Sequence, residues 1–335
     1  MSNVRRVITV LNRNTGRDGA NAQLIGAGRR LASAIAGRLT ALTLEAEEAA
    51  GSQWIIDPGA DEVVRICAPW LSHYQSDAYV AALAEACDRL DPDILLLAHD
   101  AVGREVAPRL AARLGAGLVT ECTSLGADPN TGEFIASRPC FSGKAVSEWT
   151  VAGPRLTIAT LRRQPISDLG EDPMQAGNVE TISLALRPPL REKLIEEVVP
   201  PPGQVKLEDA GVVVAVGRGV GSEEAFREHF VEGLASALGA ACGGSRGAVD
   251  MGIISPELQI GLTGRVVSPR LYIAVGLSGS PQHMAGCSGA GTIVAVNTDP
   301  QAPIFGYAHY GVVGDYRRVI PSLTQRLKKL AAKAL

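Results

Sequence analysis

The six cysteines, Cys67, Cys87, Cys122, Cys140, Cys242 and Cys287, form no C-x-x-C pair, and none has a histidine at metal-ligand spacing. A zinc ribbon, a redox dithiol and a disulfide framework are therefore not expected, and most of the thiols read as small buried hydrophobes. No apolar run reaches the roughly 18 residues that a membrane helix needs, and no charged-then-apolar leader opens the chain. The expectation is a cytoplasmic protein without membrane insertion. The net charge is only -3 and the basic residues are dispersed, which removes the electrostatic reason to expect nucleic acid. The G-x-G-x-x-G turn with an acidic residue about 20 positions on is missing too, which counts against a nicotinamide dinucleotide site.

What is present is a hydrophobic fraction of 46% over 335 residues, a soluble composition on a chain long for a single core. Val4 to Leu11 alternates as a strand, Ala20 to Ala36 has helical spacing and Leu39 to Leu44 returns to strand character. The pattern continues with a helix over Ser76 to Leu90, a strand Ile94 to Ala98, a helix Gly103 to Leu114 and a short strand at Leu118 to Val119. Such alternation predicts a parallel sheet with helices on both faces. From Lys144 to Leu161 two strand-like segments flank Gly153 and Pro154, which reads as an antiparallel hairpin. Val179 to Leu186 closes this half as a strand. Pro188, Pro189, Glu196, Glu197 and the run Pro200 to Gly203 then break the periodicity. A second alternation follows: strand Val212 to Val216, helix Ser222 to Leu238, strands Ala248 to Asp250, Tyr272 to Leu277 and Thr292 to Val296, and a terminal helix from Pro321. The expected fold class is α/β with two doubly wound, mainly parallel-sheet domains, residues 1–187 and 211–335, joined by a proline-rich linker at 188–210.

The most informative segment runs from Leu271 to His283. An apolar strand ends in the small-residue turn Ser278, Gly279, Ser280, Pro281 and then delivers Gln282 and His283. Polar loops at the carboxyl ends of parallel strands are where open α/β sheets bind ligands. Asn297 closes the following strand, and Asp315 follows one more. Gly217, Arg218, Gly219 and Gly221 sit at another strand-to-helix turn, where backbone can approach a phosphate, although Glu223 and Glu224 would compete for the helix N-terminus. Arg246 lies among small residues at a strand entrance, able to project its planar cation beside a ligand or simply to stand in solvent. Gln259 to Gly264 carries Thr263 in a glycine-bounded loop that can equally be a plain turn.

These segments, in this order, resemble the alpha subunit of an electron transfer flavoprotein. The resemblance covers most of the chain and is strongest in Ser245 to Asp250, Gly261 to Val267, Leu271 to Gly286, Thr292 to Asp299, Ala302 to Phe305 and Tyr310 to Asp315. Gly103 to Leu114 and Phe141 to Ala145 are similar too. It implies FAD in the C-terminal domain, contacted by Arg218, Ser245, Ile260, Gly261, Leu262, Thr263, Ser278, Gly279, Ser280, Pro281, Gln282, His283, Asn297, Asp315 and Tyr316. Arg246 would lie at the isoalloxazine face, Thr263 near N5 and His283 near O2, the last as a hydrogen-bonding or protonated group. It further implies a beta subunit carrying AMP and docked on the N-terminal domain. The chain would be an electron carrier rather than an enzyme, fed by a flavin-containing dehydrogenase and emptied by a membrane quinone oxidoreductase or another acceptor. Leu262 stands where the family often has glutamine, and Ser280 and Pro281 replace a more apolar pair. The alternatives carried alongside are a nicotinamide-dependent oxidoreductase and a non-redox subunit that binds an adenine nucleotide.

Overall fold

The computed structural model describes residues 5–12, 20–46, 59–141, 145–153, 155–163, 178–185, 189–196 and 207–331. Of the sequence readings above, Val4, Lys144, Pro154, Leu186, Pro188, Glu197 and the run Pro200 to Gly203 lie outside the described residues. The chain divides into two compact units, Met1–Val199 and Pro200–Leu335.

In the first unit the strands are β1 (Arg6–Leu11), β2 (Arg38–Glu45), β3 (Glu62–Cys67), β4 (Ile94–Ala98), β5 (Gly117–Cys122), β6 (Ser124–Ala127), β7 (Phe134–Cys140), β8 (Ala145–Trp149), β9 (Thr157–Leu161) and β10 (Asn178–Ser183). Seven of them form a parallel sheet in the order β10-β3-β2-β1-β4-β9-β5. Successive residues on a strand face opposite sides. Val7 and Leu96 accordingly join one buried cluster with Leu24 and Leu31, whereas Ile8 and Leu95 join another with Leu83 and Leu110. Both faces are covered, which explains runs such as Ile94 to Ala98 that are apolar without alternation.

The hairpin expected over 144–161 does not form. β8 pairs antiparallel with β7 at the edge of a separate three-stranded sheet, while β9 inserts between β4 and β5 in parallel. Their sequences carry the reason: every residue of β9 is buried, whereas four of the five residues of β8 are exposed. The expected final strand is Asn178–Ser183, which pairs with β3, a strand that sequence reading missed.

The second unit holds β11 (Val212–Val216), β12 (Ala241–Gly244), β13 (Leu271–Val275), β14 (Thr292–Asn297) and β15 (Tyr310–Val313) in the parallel order β12-β11-β13-β14-β15. Val213, Ala215, Tyr272 and Ala274 pack on one face, and Val214, Val216, Ile273 and Val275 on the other. The strand expected at Ala248 to Asp250 is instead part of a short helix, Arg246–Asp250, whose N-cap Ser245 follows β12 directly. Arg246 therefore stands at a strand exit and not at a strand entrance. The helix after β11 runs over 223–238 with Phe226–Ala235 in π geometry. The terminal helix starts at Tyr316 rather than at Pro321. Asp315 accepts from the Arg317 N–H through its side chain at 2.9 Å and begins the helix more than a turn early.

Both described ends of the 188–210 stretch are packed. Leu207 is 4% exposed in the core of the second unit, and Leu190 packs against a core of the first. Glu192 accepts from the Ser76 backbone N–H at 3.1 Å and from its hydroxyl at 2.6 Å, at the start of the helix Ser76–Leu90, and pairs with Arg109 at 3.1 Å. These hydrogen bonds and the Arg109 cation hold the Glu192 carboxyl below its ordinary pKa. Among the described residues no helix is long and apolar enough to cross a membrane. Glu192→Ala should release this segment. In a trypsin time course, cleavage after Arg191 and Lys193 should then precede the cleavage seen in wild type.

Candidate functional site

An order in which the first strand of a unit lies between the second and the third leaves a crevice where the crossovers diverge, here between β11 and β13 at their carboxyl ends. Glycines line it. The Gly217 N–H donates to Val275 O at 2.9 Å, and a Cβ on Gly217 would stand 2.1 Å from Gly276 O. Gly219 lies equally close, since a Cβ there would be 3.0 Å from the Gly276 Cα. Gly276 itself has φ +62° and Gly279 φ +79°, and a Cβ on Gly279 would collide with Ile304 N at 2.4 Å. Only glycine meets both demands.

Around this floor the structure gathers two arginines. The aliphatic stem of Arg218 crosses Gly247, where a Cβ would come within 2.9 Å of it, so Arg218 lies beside the Arg246 segment. The Arg246 side chain is 72% exposed, and its Nε is 3.8 Å from Asp250, a loose solvent-screened contact that leaves the guanidinium able to turn toward a ligand. Ser245 and Ser280 each cap a short helix after β12 and β13, their hydroxyls accepting from the Ala248 and His283 N–H groups. Pro281 fills the first position after the Ser280 cap, where its fixed φ suits a helix start. Ser278, Ser280, Pro281 and Gln282 are exposed along this turn.

The loop from Ile260 to Thr263 runs alongside. Ile260 N bonds Gly244 O at 2.8 Å, Leu262 N bonds Gln282 O at 2.7 Å, and Gly264 N closes a turn on Gly261 O at 3.1 Å. The expected turn is there, with Gly261 at φ +145° and backed by Gly286, whose Cβ would meet Gly261 N at 2.4 Å. Gln259 donates to the Thr263 hydroxyl at 3.0 Å. With its oxygen accepting, the hydroxyl keeps its own proton to donate outward. Leu262 is 70% exposed at the tip.

Several of the expected contact residues bond protein partners through their side chains. The His283 imidazole is 4% exposed, with Nδ1 3.0 Å from Ile260 O and Nε2 2.8 Å from the Tyr272 hydroxyl. Burial lowers its pKa from 6.5 to about 4, so a protonated imidazole at neutral pH is not what the fold provides. Tyr316 buries its ring against Phe230 and donates its hydroxyl to Val220 O at 2.8 Å. The half-buried Asn297 donates to Leu277 O at 2.8 Å and accepts from Asp299 N at 3.0 Å, which pins the turn after β13 to the end of β14. Asp315 caps the terminal helix. Sequence reading missed Tyr272 and Gln259. The first was legible as a polar group within an apolar strand, whereas nothing in the chain announces the second.

The first unit offers a contrast at its own reversal point between β1 and β4. There a cavity of about 90 Å³ is lined mainly by Leu11, Leu44, Tyr74, Leu97 and Val106. Asp100 at its rim already caps the next helix through Gly103 N at 2.8 Å. Among the described residues its lining is mostly apolar.

The His283 burial has a pH signature. In the unfolded chain the ring takes a proton below about 6.5 and in the folded protein only below about 4, so the stability present above pH 6.5 is lost as pH falls through that window. The loss should reach about 3 kcal/mol. Urea unfolding of the intact protein at pH 7 and pH 4.5 should show His283→Asn losing less stability on acidification than wild type.

Two family models match the chain: the electron transfer flavoprotein domain over residues 10–186 and the electron transfer flavoprotein FAD-binding domain over residues 206–288. The electron transfer flavoprotein subunit alpha of Thermoanaerobacterium thermosaccharolyticum is 36% identical over 92% of this chain and 93% of its own. The corresponding subunit of Bacillus subtilis is 40% identical over 83% of this chain and 84% of its own. Protein FixB of Clostridium saccharobutylicum is 37% identical over 92% and 91%. The second unit's glycine-floored crevice thus lies in the part of the chain that matches a flavin-binding domain, and the protein belongs to the electron transfer flavoprotein alpha-subunit family.

Proposed function

We propose that the crevice between β11 and β13 holds FAD and that the chain, paired with a beta subunit, relays electrons from a flavin-containing dehydrogenase to a membrane quinone oxidoreductase or another acceptor. The observation that carries this reading is the glycine floor of Gly217, Gly219, Gly276 and Gly279. A Cβ at any of them would meet backbone at 3.0 Å or less, and the floor opens beside two exposed arginines. The residues fit a dinucleotide flavin. Small backbone-lined turns suit the pyrophosphate, Arg218 and Arg246 supply positive charge, and the Thr263 hydroxyl supplies a donor. AMP would belong to the beta subunit, docked on the first unit. None of the six cysteines is joined in a disulfide, which fits a reducing compartment such as the cytoplasm.

Bound FAD would supply the redox chemistry, one electron at a time. Arg246 would hold positive charge beside the ring system and favour its reduced forms, while Thr263 would donate its proton to a ring acceptor. Ser278, Ser280 and Gln282 would orient the dinucleotide along the turn.

The reading is tested by co-expressing the chain with its beta subunit, purifying the pair and identifying the pigment released on denaturation. A pair that stays colourless in excess FAD would refute it. Arg246→Ala should keep FAD but lower the first-electron midpoint by about 60 to 130 mV, the equivalent of one charge-assisted hydrogen bond. Thr263→Ala should shift the midpoint by about 20 to 60 mV, and Thr263→Ser should restore it; spectroelectrochemical titration measures both.

A further inference from the structure

Tyr272 and His283 are titratable groups, 0% and 4% exposed, for which the reading above leaves no chemical task. Their geometry fixes the direction of each hydrogen bond. Ile260 O is a carbonyl and can only accept, so His283 Nδ1, 3.0 Å away, carries the proton. A neutral imidazole has one N–H, hence Nε2 accepts, and the Tyr272 hydroxyl at 2.8 Å donates to it. The low basicity of the buried ring agrees with that neutral form. Tyr272 rises from the first residues of β13, His283 from the short helix that follows it, and Ile260 from the loop beyond β12. Three separate segments meet in one chain of bonds.

We propose that Tyr272 is a positioning residue: the Ile260 carbonyl, which can only accept, sets His283 as the Nδ1–H tautomer, and the phenol, by donating to the Nε2 lone pair that this tautomer leaves buried, holds the ring so that its proton clamps the Ile260 carbonyl and with it the turn Gly261 to Thr263. The opposite tautomer would aim a lone pair of Nδ1 at the carbonyl oxygen and push the turn away. The turn has a second tie on the same helix, since Leu262 N donates to Gln282 O at 2.7 Å. Its placement is thus set jointly by a backbone bond and by the ring that the phenol holds. Phenylalanine would fill the same space and leave the buried Nε2 without that donor. Cys287 stands beside the phenol as a weaker competing partner. That the clamp serves a flavin rests on the function proposed above; the clamp itself does not.

The test uses the full chain with its beta subunit, labelled with 15N-histidine, the His283 signals being assigned by their loss in His283→Asn. Wild type should show a protonated Nδ1 and an unprotonated Nε2. Tyr272→Phe should keep the Nδ1–H tautomer but shift the Nε2 signal, give roughly tenfold faster hydrogen exchange across residues 260–264, the change expected for one lost buried hydrogen bond, and shift the flavin midpoint. His283→Asn should keep the exchange protection, because its amide nitrogen occupies the place of Nδ1, whereas His283→Gln should not. A wild-type ring protonated at Nε2 would overturn the proposal even if no variant folds. So would a Tyr272→Phe protein with an unchanged Nε2 signal and unchanged exchange. Because tautomer and exchange are read with or without flavin, a pair that shows the clamp but takes up no FAD would sink the flavin reading while upholding the clamp.

Discussion

Where β11 and β13 part, the chain brings Gly217 and Gly276 together backbone to backbone, close enough that a methyl group on Gly217 would stand 2.1 Å from the Gly276 carbonyl oxygen. The parallel sheet sets this requirement, because its crossovers leave in opposite directions from that one place. Two turns must then leave neighbouring strand ends through a gap with no room for side chains. Everything built around the crevice inherits the constraint. Arg218 can lie across Gly247 only because its own turn hugs the floor, and Gly279 can fold back onto Ile304 only with a left-handed backbone.

The site separates its polar groups by depth. The inner ones, His283, Tyr272 and Tyr316, are buried and each bonds a protein partner, and the half-buried Asn297 bonds two. Arg218, Arg246, Thr263, Ser278 and Gln282 are exposed. Physics favours the division, since an ionised group deep in the unit would need a partner to offset its lost hydration, and that partner would cancel its effect on a ligand. Charge meant to act on a bound molecule therefore stays at the surface, while the interior holds the loops still.

The same division explains what could be read from the sequence. Strands at Ile94–Ala98 and Val212–Val216 and the helix Ser76–Leu90 were legible to the residue, because burial on both faces or a clear helical period leaves one interpretation. Arg218, Ser245, Arg246 and the Ile260 to Thr263 turn were legible as a group through glycine spacing and family resemblance. Side-chain direction was not. His283 and Tyr316 fall in motifs that look ligand-facing, yet both point inward, since a residue at a helix start is free in the sequence to face either way and packing decides. The hairpin misreading has the same root. Gly153 and Pro154 signal a turn, and only burial shows that β9 belongs to a sheet centre while β8 belongs to an edge.

Exposure also limits what the arginines can do by themselves. Two unit charges 4 Å apart interact by about 1 kcal/mol in water and about 4 kcal/mol at the effective dielectric of a protein surface. A guanidinium that is 72% exposed sits near the weaker limit until something displaces its water. On the function proposed above, the ring system and whatever covers it would perform that displacement, so the electrostatic tuning belongs to the covered site rather than to Arg246 alone. Leu262 bears on the same balance. It is 70% exposed beside Thr263, where a polar side chain such as glutamine would keep water close. An apolar tip in that place sheds water when covered, lowers the local dielectric and makes each remaining charge and donor count for more.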